Sequence, residues 1–179
     1  MITNIQRITT EISDINTLST NLWYSGCRLF CNGCQNSHLK DFCAGMDLEE
    51  VKKQLKERRG FTDWLVHTGG NPIDSIDLLL EVAEYAKSLG YKQFLFCGYI
   101  EEDMIRLIGN ERNEKLIDLI DYIKFGAYEE NKDKDKFNCH DYHFATLNQY
   151  VVKSDTESHT WKTYYKYIPN TVITRFTVV

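Results

Sequence analysis

The sequence has no long apolar run and no excess of basic residues, and both absences limit what the protein can be. No apolar stretch approaches the length of a transmembrane helix, and the polar residues after Met1 do not resemble a secretory signal peptide. The net charge of −5, from 21 basic and 26 acidic residues, disfavours a protein that binds nucleic-acid phosphates. We therefore expect a cytoplasmic protein whose partners include neither nucleic acid nor a membrane.

The chain of 179 residues also lacks an internal repeat and a recognisable domain linker. A chain of this length can bury a substantial hydrophobic core. Its hydrophobic fraction of 42% and charged fraction of 26% are ordinary for a globular protein. We expect residues 1–179 to form a single domain.

Helical patterns alternate with short apolar segments through the middle of the chain. Asp47 is placed to cap a helix that ends near Arg59, and a second helical pattern covers residues 75–89. A weaker helical pattern over residues 101–119 is interrupted near Gly109. Apolar segments typical of strands lie at residues 22–24, 63–67, 93–97 and 122–125.

This alternation predicts βαβ units, and therefore an α/β fold with a mostly parallel sheet. The C-terminal part is rich in Tyr, Thr and Val, which predicts one or two late strands that pair antiparallel at an edge of the sheet. The charged segment 129–136 contains no apolar residue, and we expect it to be an exposed loop.

Three of the six cysteines are concentrated in one short segment. Cys27, Cys31 and Cys34 have the spacing C-x3-C-x2-C and directly follow the apolar segment 22–24. Clustered cysteines in a reducing compartment favour a metal site or a catalytic site. A structural zinc site or a fully ligated iron–sulfur cluster usually takes four protein ligands. Three cysteines on a cluster would leave one iron open, which indicates an enzyme.

The other three cysteines do not belong to this cluster. Cys97 lies in an apolar segment and is expected to be a small buried hydrophobic residue. Cys43 and Cys139 stand alone, and the sequence assigns neither of them a role.

Two further loops are expected beside the cysteines, because ligands of parallel α/β folds bind where the strands end. Gly69-Gly70-Asn71-Pro72 follows the segment 63–67, and Gly98-Tyr99 follows the segment 93–97. The two adjacent glycines can bring the backbone close to a ligand. A tight turn before a helix is the alternative explanation for them.

The cysteine spacing and the Gly-Gly-Asn-Pro segment together resemble motifs of the radical S-adenosylmethionine (radical SAM) superfamily. In that family the three cysteines hold a [4Fe-4S] cluster, and the remaining iron binds the amino and carboxylate groups of S-adenosylmethionine (SAM). A Gly-Gly-Glu-Pro segment contacts the amino group of the methionine moiety. Asn71 stands at the acidic position, so its amide oxygen would accept the ammonium hydrogen bond without charge assistance.

The residues around these motifs resemble the short activating proteins of glycyl-radical enzymes, especially those of anaerobic ribonucleoside-triphosphate reductase. The matches cover residues 20–152 and include the segments 25–36, 98–99, 121–128 and 148–149. The chain departs from the pattern at Phe125, where an Asp is common. It also lacks a Gly-rich, Arg-containing segment at residues 15–20 and extends past the usual end at residues 153–179.

The resemblance implies a fold, a reaction and a set of site residues. The fold is a partial (β/α) barrel with a mostly parallel, curved sheet. An electron from a flavodoxin-type donor cleaves SAM, and the resulting radical takes a hydrogen from a glycine of the partner glycyl-radical enzyme. The iron ligands are Cys27, Cys31 and Cys34. The residues beside SAM are Gly33, Gln35, Gly69, Gly70, Asn71, Gly98 and Tyr99. The resemblance requires no general acid or base.

Two alternatives are open at this point. Within the superfamily, the protein could activate another glycyl-radical enzyme or act on a small molecule, as a deazapurine-forming synthase does. In a different class, the three cysteines could bind zinc together with Cys43 or His38. Structural zinc sites usually come as two paired half-sites, and here there is one cluster of cysteines. Otherwise, His38 and His67 are expected to be hydrogen-bonded structural histidines.

Overall fold

The computed structural model describes residues 1–13, 15–133 and 145–166. Its strands are β1 (Ile5–Ile12), β2 (Leu18–Tyr24), β3 (Trp64–Gly69), β4 (Lys92–Cys97), β5 (Tyr122–Phe125), β6 (Tyr150–Asp155) and β7 (Thr160–Lys166). Its helices are α1 (Leu48–Arg58), α2 (Ile76–Ser88), α3 (Glu101–Ile108) and α4 (Asn110–Leu119). Short 3₁₀ turns lie at Ser37–Leu39, Pro72–Ser75 and Glu130–Lys132. In this part of the chain, no helix is long and apolar enough to cross a membrane.

The strands form one seven-stranded sheet in which they are arranged in chain order, from β1 to β7. Neighbours from β2 to β5 pair in parallel, whereas β1, β6 and β7 add to the edges in antiparallel pairs. The parallel pairs need crossover connections, and the helices α1 to α4 supply them. The predicted α/β fold, parallel central sheet and antiparallel C-terminal strands are confirmed. The sheet is not closed, and the partial barrel stays a prediction.

Alternation along the strands gives the sheet two different buried faces. Leu65, Leu95 and Ile123 belong to the larger core cluster, which also contains the buried residues of the helices. Val66 and Phe94 are one residue out of phase and form a second cluster on the other face, together with other aromatic and aliphatic side chains. The helices therefore cover one face of the central strands and leave the other face available for a site.

The predicted helices begin and end within one residue of the observed ones, because their caps are encoded locally. Asp47 caps α1, since its side chain accepts a hydrogen bond of 2.9 Å from the backbone N–H of Glu49. Gly109 separates α3 from α4 with φ of 83° and ψ of 160°, a conformation that glycine adopts readily. This separation agrees with the predicted interruption of the helical pattern over residues 101–119.

Some elements were less visible in the sequence. The edge strand β1 was not predicted, because its sequence IQRITTEI is mostly polar and much of it is exposed. Of the charged segment 129–136, residues Glu130–Lys132 form an exposed 3₁₀ turn, and residues 134–136 lie outside the described residues. The predicted late strands correspond to β6 and β7, while the chain from residue 167 onward lies outside the described residues.

Candidate functional site

The carboxyl ends of β2 to β5 surround a cavity of about 320 Å³, which we call the cysteine cavity. Four groups of residues that follow these strands contribute to its lining. The cysteine loop (residues 25–36) contributes Cys27, Leu29, Cys31, Cys34, Gln35 and Asn36, and the loop after β3 contributes Gly70 and Asn71, next to Gly69. Gly98 follows β4, and Gly126 to Tyr128 follow β5. The structure therefore brings the separate sequence motifs together around one space.

The three clustered cysteines all face this space as free, half-buried thiols. Burial is the main cause that raises the pKa of the Cys27 thiol, and the negative charge of Asp74 raises it further. Among the described residues, no three Cys, His, Asp or Glu side chains are gathered closely enough to hold a single metal ion. Three soft thiolate donors around a cavity are nevertheless the donor set that an iron–sulfur cluster uses.

Backbone hydrogen bonds fix the start of the cysteine loop between two other segments. On one side, the N–H groups of Gly26 and Cys27 donate to the carbonyls of Leu39 and Lys40 at 2.8 and 2.9 Å. On the other side, the carbonyl of Gly26 accepts a hydrogen bond of 2.9 Å from the N–H of Asn71. The first cysteine is therefore held in register with the loop that follows β3.

Gly69 and Gly70 are explained by this close approach of backbone to backbone. A Cβ atom at Gly69 would lie 2.4 Å from the carbonyl oxygen of Tyr24, and φ of Gly69 is +107°. A Cβ atom at Gly70 would lie 2.5 Å from the carbonyl oxygen of Gly26. Both contacts are too short for a side chain. The two glycines thus allow the loop after β3 to pack against the cysteine loop, in addition to lining the cavity.

Asn71 is buried at the junction of the loops. Its amide oxygen accepts a hydrogen bond of 3.2 Å from the N–H of Gly98, and its amide nitrogen donates to Oδ2 of Asp74 at 3.0 Å. An amide oxygen has two lone pairs, so one of them is still available to a ligand. The side chain therefore has a structural role, and its role in binding SAM stays a prediction.

The remaining predicted site residues divide into those that line the cavity and those that lie behind it. Gln35 and Gly98 line it. Gly33, with φ of +72°, packs against the ring of Tyr128, which itself lines the cavity. The hydroxyl of Tyr99 donates to Oδ1 of Asp74 at 2.7 Å. Gly33 thus packs against a lining residue, Tyr99 binds Asp74 behind the cavity, and neither Gly33 nor Tyr99 lines the cavity itself.

Several lining residues were missed because little in the sequence marks them as functional. Lys124 is only 6% exposed, and its Nζ lies 4.8 Å from the ring centroid of Phe96 on the neighbouring strand. Glu11 reaches the same cavity from β1 and accepts a hydrogen bond of 3.0 Å from the amide of Asn21. A charged residue inside the short apolar segment 122–125 was the one available signal for Lys124.

The other histidines and cysteines have mostly structural surroundings. His67 is buried, and its ring nitrogens contact the Tyr24 hydroxyl at 3.1 Å and the Gln93 amide oxygen at 2.9 Å, as predicted for a structural histidine. Burial lowers the pKa of His67 to about 4. Cys97 is buried as predicted, with its pKa raised by burial.

The two residues considered as a fourth zinc ligand are not among those that line the cysteine cavity. Both His38 and Cys43 are exposed to solvent. The prediction of a hydrogen-bonded structural histidine therefore holds for His67. It is wrong for His38, because the short turn Ser37–Leu39 leaves the ring of His38 exposed to solvent. Cys139 lies outside the described residues.

Three thiols at the carboxyl edge of a parallel α/β sheet define an iron–sulfur type of site, and comparison with known proteins gives the family. The family of 4Fe-4S single cluster domains matches residues 17–151, and the chain belongs to it. The chain is also 25% identical to the anaerobic ribonucleoside-triphosphate reductase-activating protein of Pasteurella multocida (strain Pm70). That similarity extends over 138 residues, which are 72% of this chain and 85% of the relative.

Proposed function

We propose that this protein is a radical SAM enzyme that generates a glycyl radical on an anaerobic ribonucleoside-triphosphate reductase. The observation that carries the proposal is the cysteine cavity, where three thiols face the backbone of the loops after β3 and β4. The family match supports a [4Fe-4S] cluster, and the similarity to the reductase-activating protein of Pasteurella multocida supports an activating role.

In this proposal Cys27, Cys31 and Cys34 hold the cluster and leave one iron for SAM. When bound, the reduced cluster would supply the electron that cleaves SAM to methionine and a 5′-deoxyadenosyl radical, which would take a hydrogen atom from the partner's glycine to give 5′-deoxyadenosine and a glycyl radical. The protein's own contribution is binding, orientation and exclusion of water. No side chain is assigned a general acid or base role.

The loops after β3 and β4 are proposed to bind SAM. Asn71 would accept a hydrogen bond from the methionine ammonium through the second lone pair of its amide oxygen, since the first one is used by Gly98. Gly69 and Gly70 would present backbone to SAM at the cavity, and their lack of a Cβ atom lets this loop pack against Tyr24 and Gly26. Gly33 and Tyr99 would act indirectly, through Tyr128 and Asp74.

The larger-scale features of the proposal rest on the same family. We propose that residues 1–179 form one domain in which the curved sheet is a partial barrel, and that a flavodoxin-type protein donates the electron. The family match over residues 17–151 and the continuous strand order from β1 to β7 support a single unit.

The test is anaerobic reconstitution with iron and sulfide, followed by reduction in the presence of SAM. We expect a brown protein that forms 5′-deoxyadenosine, and a glycyl radical detectable by electron paramagnetic resonance (EPR) once an anaerobic ribonucleoside-triphosphate reductase is added. Cys31→Ala should abolish cleavage, whereas Cys97→Ala should keep the cluster, because the Cys97 side chain packs in the core on the helix side of the sheet.

Each negative result has its own meaning. One tightly bound zinc ion and no iron after reconstitution would disprove the radical hypothesis. Loss of the cluster in Cys97→Ala would show that the ligands are misassigned. SAM cleavage without a glycyl radical on the reductase would keep the radical chemistry and point to another glycyl-radical enzyme or a small-molecule substrate.

A further inference from the structure

Asp74 lies where the three loops of the site meet. It belongs to the 3₁₀ turn Pro72–Ser75, outside the Gly-Gly-Asn-Pro segment. Its Oδ2 accepts hydrogen bonds from the backbone N–H of Arg28 at 2.9 Å and from the amide of Asn71 at 3.0 Å. Its Oδ1 accepts a hydrogen bond of 2.7 Å from the hydroxyl of Tyr99. One carboxylate therefore connects the loops that follow β2, β3 and β4.

The contact with Asp74 fixes which way the Asn71 amide points. A carboxylate is only an acceptor, so the NH2 group of Asn71 must face it and the amide oxygen must face the opposite way. That oxygen accepts the hydrogen bond from the N–H of Gly98. An amide held in the reverse orientation would place two oxygens against each other at Asp74 and two N–H donors against each other at Gly98.

The bonding of Asp74 is not accounted for by helix capping. The residue at the N-cap of α2 is Ser75, and its side chain makes no capping hydrogen bond. The Ser75 hydroxyl instead accepts a hydrogen bond of 2.9 Å from the Asn4 amide. The three partners of Asp74 are Arg28, Asn71 and Tyr99, and each is next to a residue that lines the cysteine cavity or lines it itself.

We propose that Asp74 is the positioning residue of this site. It orients the amide oxygen of Asn71 toward the cofactor and ties the peptide after Cys27 to the loops after β3 and β4. The inference rests on the proposed function, because SAM is the ligand that the aligned groups would bind. Charged and polar partners behind direct ligands commonly change affinity or activity by about 10- to 100-fold when they are removed.

The test compares Asp74→Ala and Asp74→Asn with the control Asp77→Ala in reconstituted protein. Asp77 is a nearby exposed aspartate in α2 that pairs with Arg112 at 2.9 Å. The measurement is the SAM concentration that gives half of the change in the EPR signal of the reduced cluster, together with the iron content. We expect about a tenfold higher concentration for Asp74→Ala at unchanged iron content, and the wild-type value for Asp77→Ala.

Asp74→Asn keeps the side-chain volume and provides the conservative comparison. Its amide oxygen can still accept the N–H of Arg28, and its NH2 group can donate to the Tyr99 oxygen. We expect its half-maximal SAM concentration to lie between those of wild type and Asp74→Ala. If the alanine variant does not fold, Asp74→Asn is compared with wild type and Asp77→Ala instead.

Backbone amide exchange separates this proposal from the proposed function, since it can be measured without SAM. Faster exchange of the Arg28 and Gly98 amides in Asp74→Ala would support the links through Asp74, and unchanged exchange would overturn them. Faster exchange with a wild-type SAM dependence would also overturn the positioning role. If reconstituted wild-type protein shows no response to SAM, the proposed function fails, and the exchange comparison still decides whether Asp74 holds the loops.

Discussion

At single positions around the cavity, the residue type is determined by how closely backbone segments approach as much as by side-chain chemistry. The N–H groups of Gly70 and Asn71 donate to the carbonyls of Tyr24 and Gly26 at 2.8 and 2.9 Å. These bonds draw the loop after β3 so close to the cysteine loop that neither Gly69 nor Gly70 has room for a side chain. The placement of the first cysteine thus depends on residues that carry no functional group.

Replacing glycines by alanine should distinguish the effect of close backbone contacts on stability from the effect of a positive φ. Gly69→Ala combines a positive φ with a contact of 2.4 Å, Gly109→Ala has φ of +83° in open space, and Gly60→Ala has neither feature. We expect Gly109→Ala to cost about 1–3 kcal/mol, Gly69→Ala to cost more, and Gly60→Ala to change stability by less than about 0.5 kcal/mol.

The measurement for these variants is urea unfolding of the iron-free protein, so that cluster loss does not contribute. Equal stability of Gly69→Ala and Gly60→Ala would contradict the packing of the loop after β3 against the cysteine loop.

The elements that could be predicted from the sequence are those with local signals. The helix after Asp47 has a cap and a clear apolar face, and the alternation of helices with apolar segments indicates a parallel sheet. The edge strand β1 has neither an apolar run nor a tight turn before it. It pairs antiparallel with the next strand along the chain, starting with Ile12 opposite Leu18, and its mostly polar sequence does not mark this pairing.

The residues of the candidate site also divide into those with a local sequence signal and those without one. Spacing revealed the cysteines, and a motif revealed Gly69 to Asn71, because both are short and contiguous. Glu11 and Lys124 reach the cavity from two strands, and Asp74 contacts the lining residue Asn71 from a turn. Their positions depend on the register between strands, such as the pairing of Phe96 with Lys124, and this register is a property of the folded sheet.

The central strand β3 carries a pH-sensitive residue that connects it to its neighbours. His67 contacts Tyr24 on β2 and Gln93 on β4, and burial lowers its pKa from 6.5 to about 4. Between these two pH values the unfolded chain binds a proton that the folded protein does not, so stability decreases as the pH falls. Above pH 6.5 this contribution is complete. Its loss by pH 4 is on the order of 3 kcal/mol.

The prediction is checked by urea unfolding of the iron-free protein between pH 7 and pH 4. His67→Gln, whose side chain does not titrate, should show a smaller decrease over this range than wild type. The buried carboxyl of Asp121, whose pKa is raised mainly by burial, is common to both proteins and cancels in the comparison. Parallel curves for the two proteins would show that His67 is not the group responsible.

In the molecule as a whole, the main hydrophobic core and the proposed reaction site lie on different sides of the sheet. The helices and the larger core cluster lie on one side, and the cysteine cavity opens at the carboxyl edge with the smaller cluster below it. The cysteine loop is held by fewer backbone hydrogen bonds than either the helices or the sheet. From Leu29 to Asn36, no backbone N–H donates a hydrogen bond to another described residue. We therefore expect the segment to depend on the proposed cluster more than on the sheet.

Removal of the cluster should therefore loosen one segment and leave the fold intact. A ligand that binds only the folded protein stabilises the parts that contact it, and local opening needs less free energy where hydrogen bonds are few. We expect hydrogen exchange to become faster over residues 28–36 in iron-free protein, with β3, β4 and β5 unchanged. Cys31→Ala should reproduce this pattern, whereas reconstituted Cys97→Ala should retain wild-type protection in the segment. Uniform loss of protection across the sheet would instead mean that the cluster is required for the fold itself.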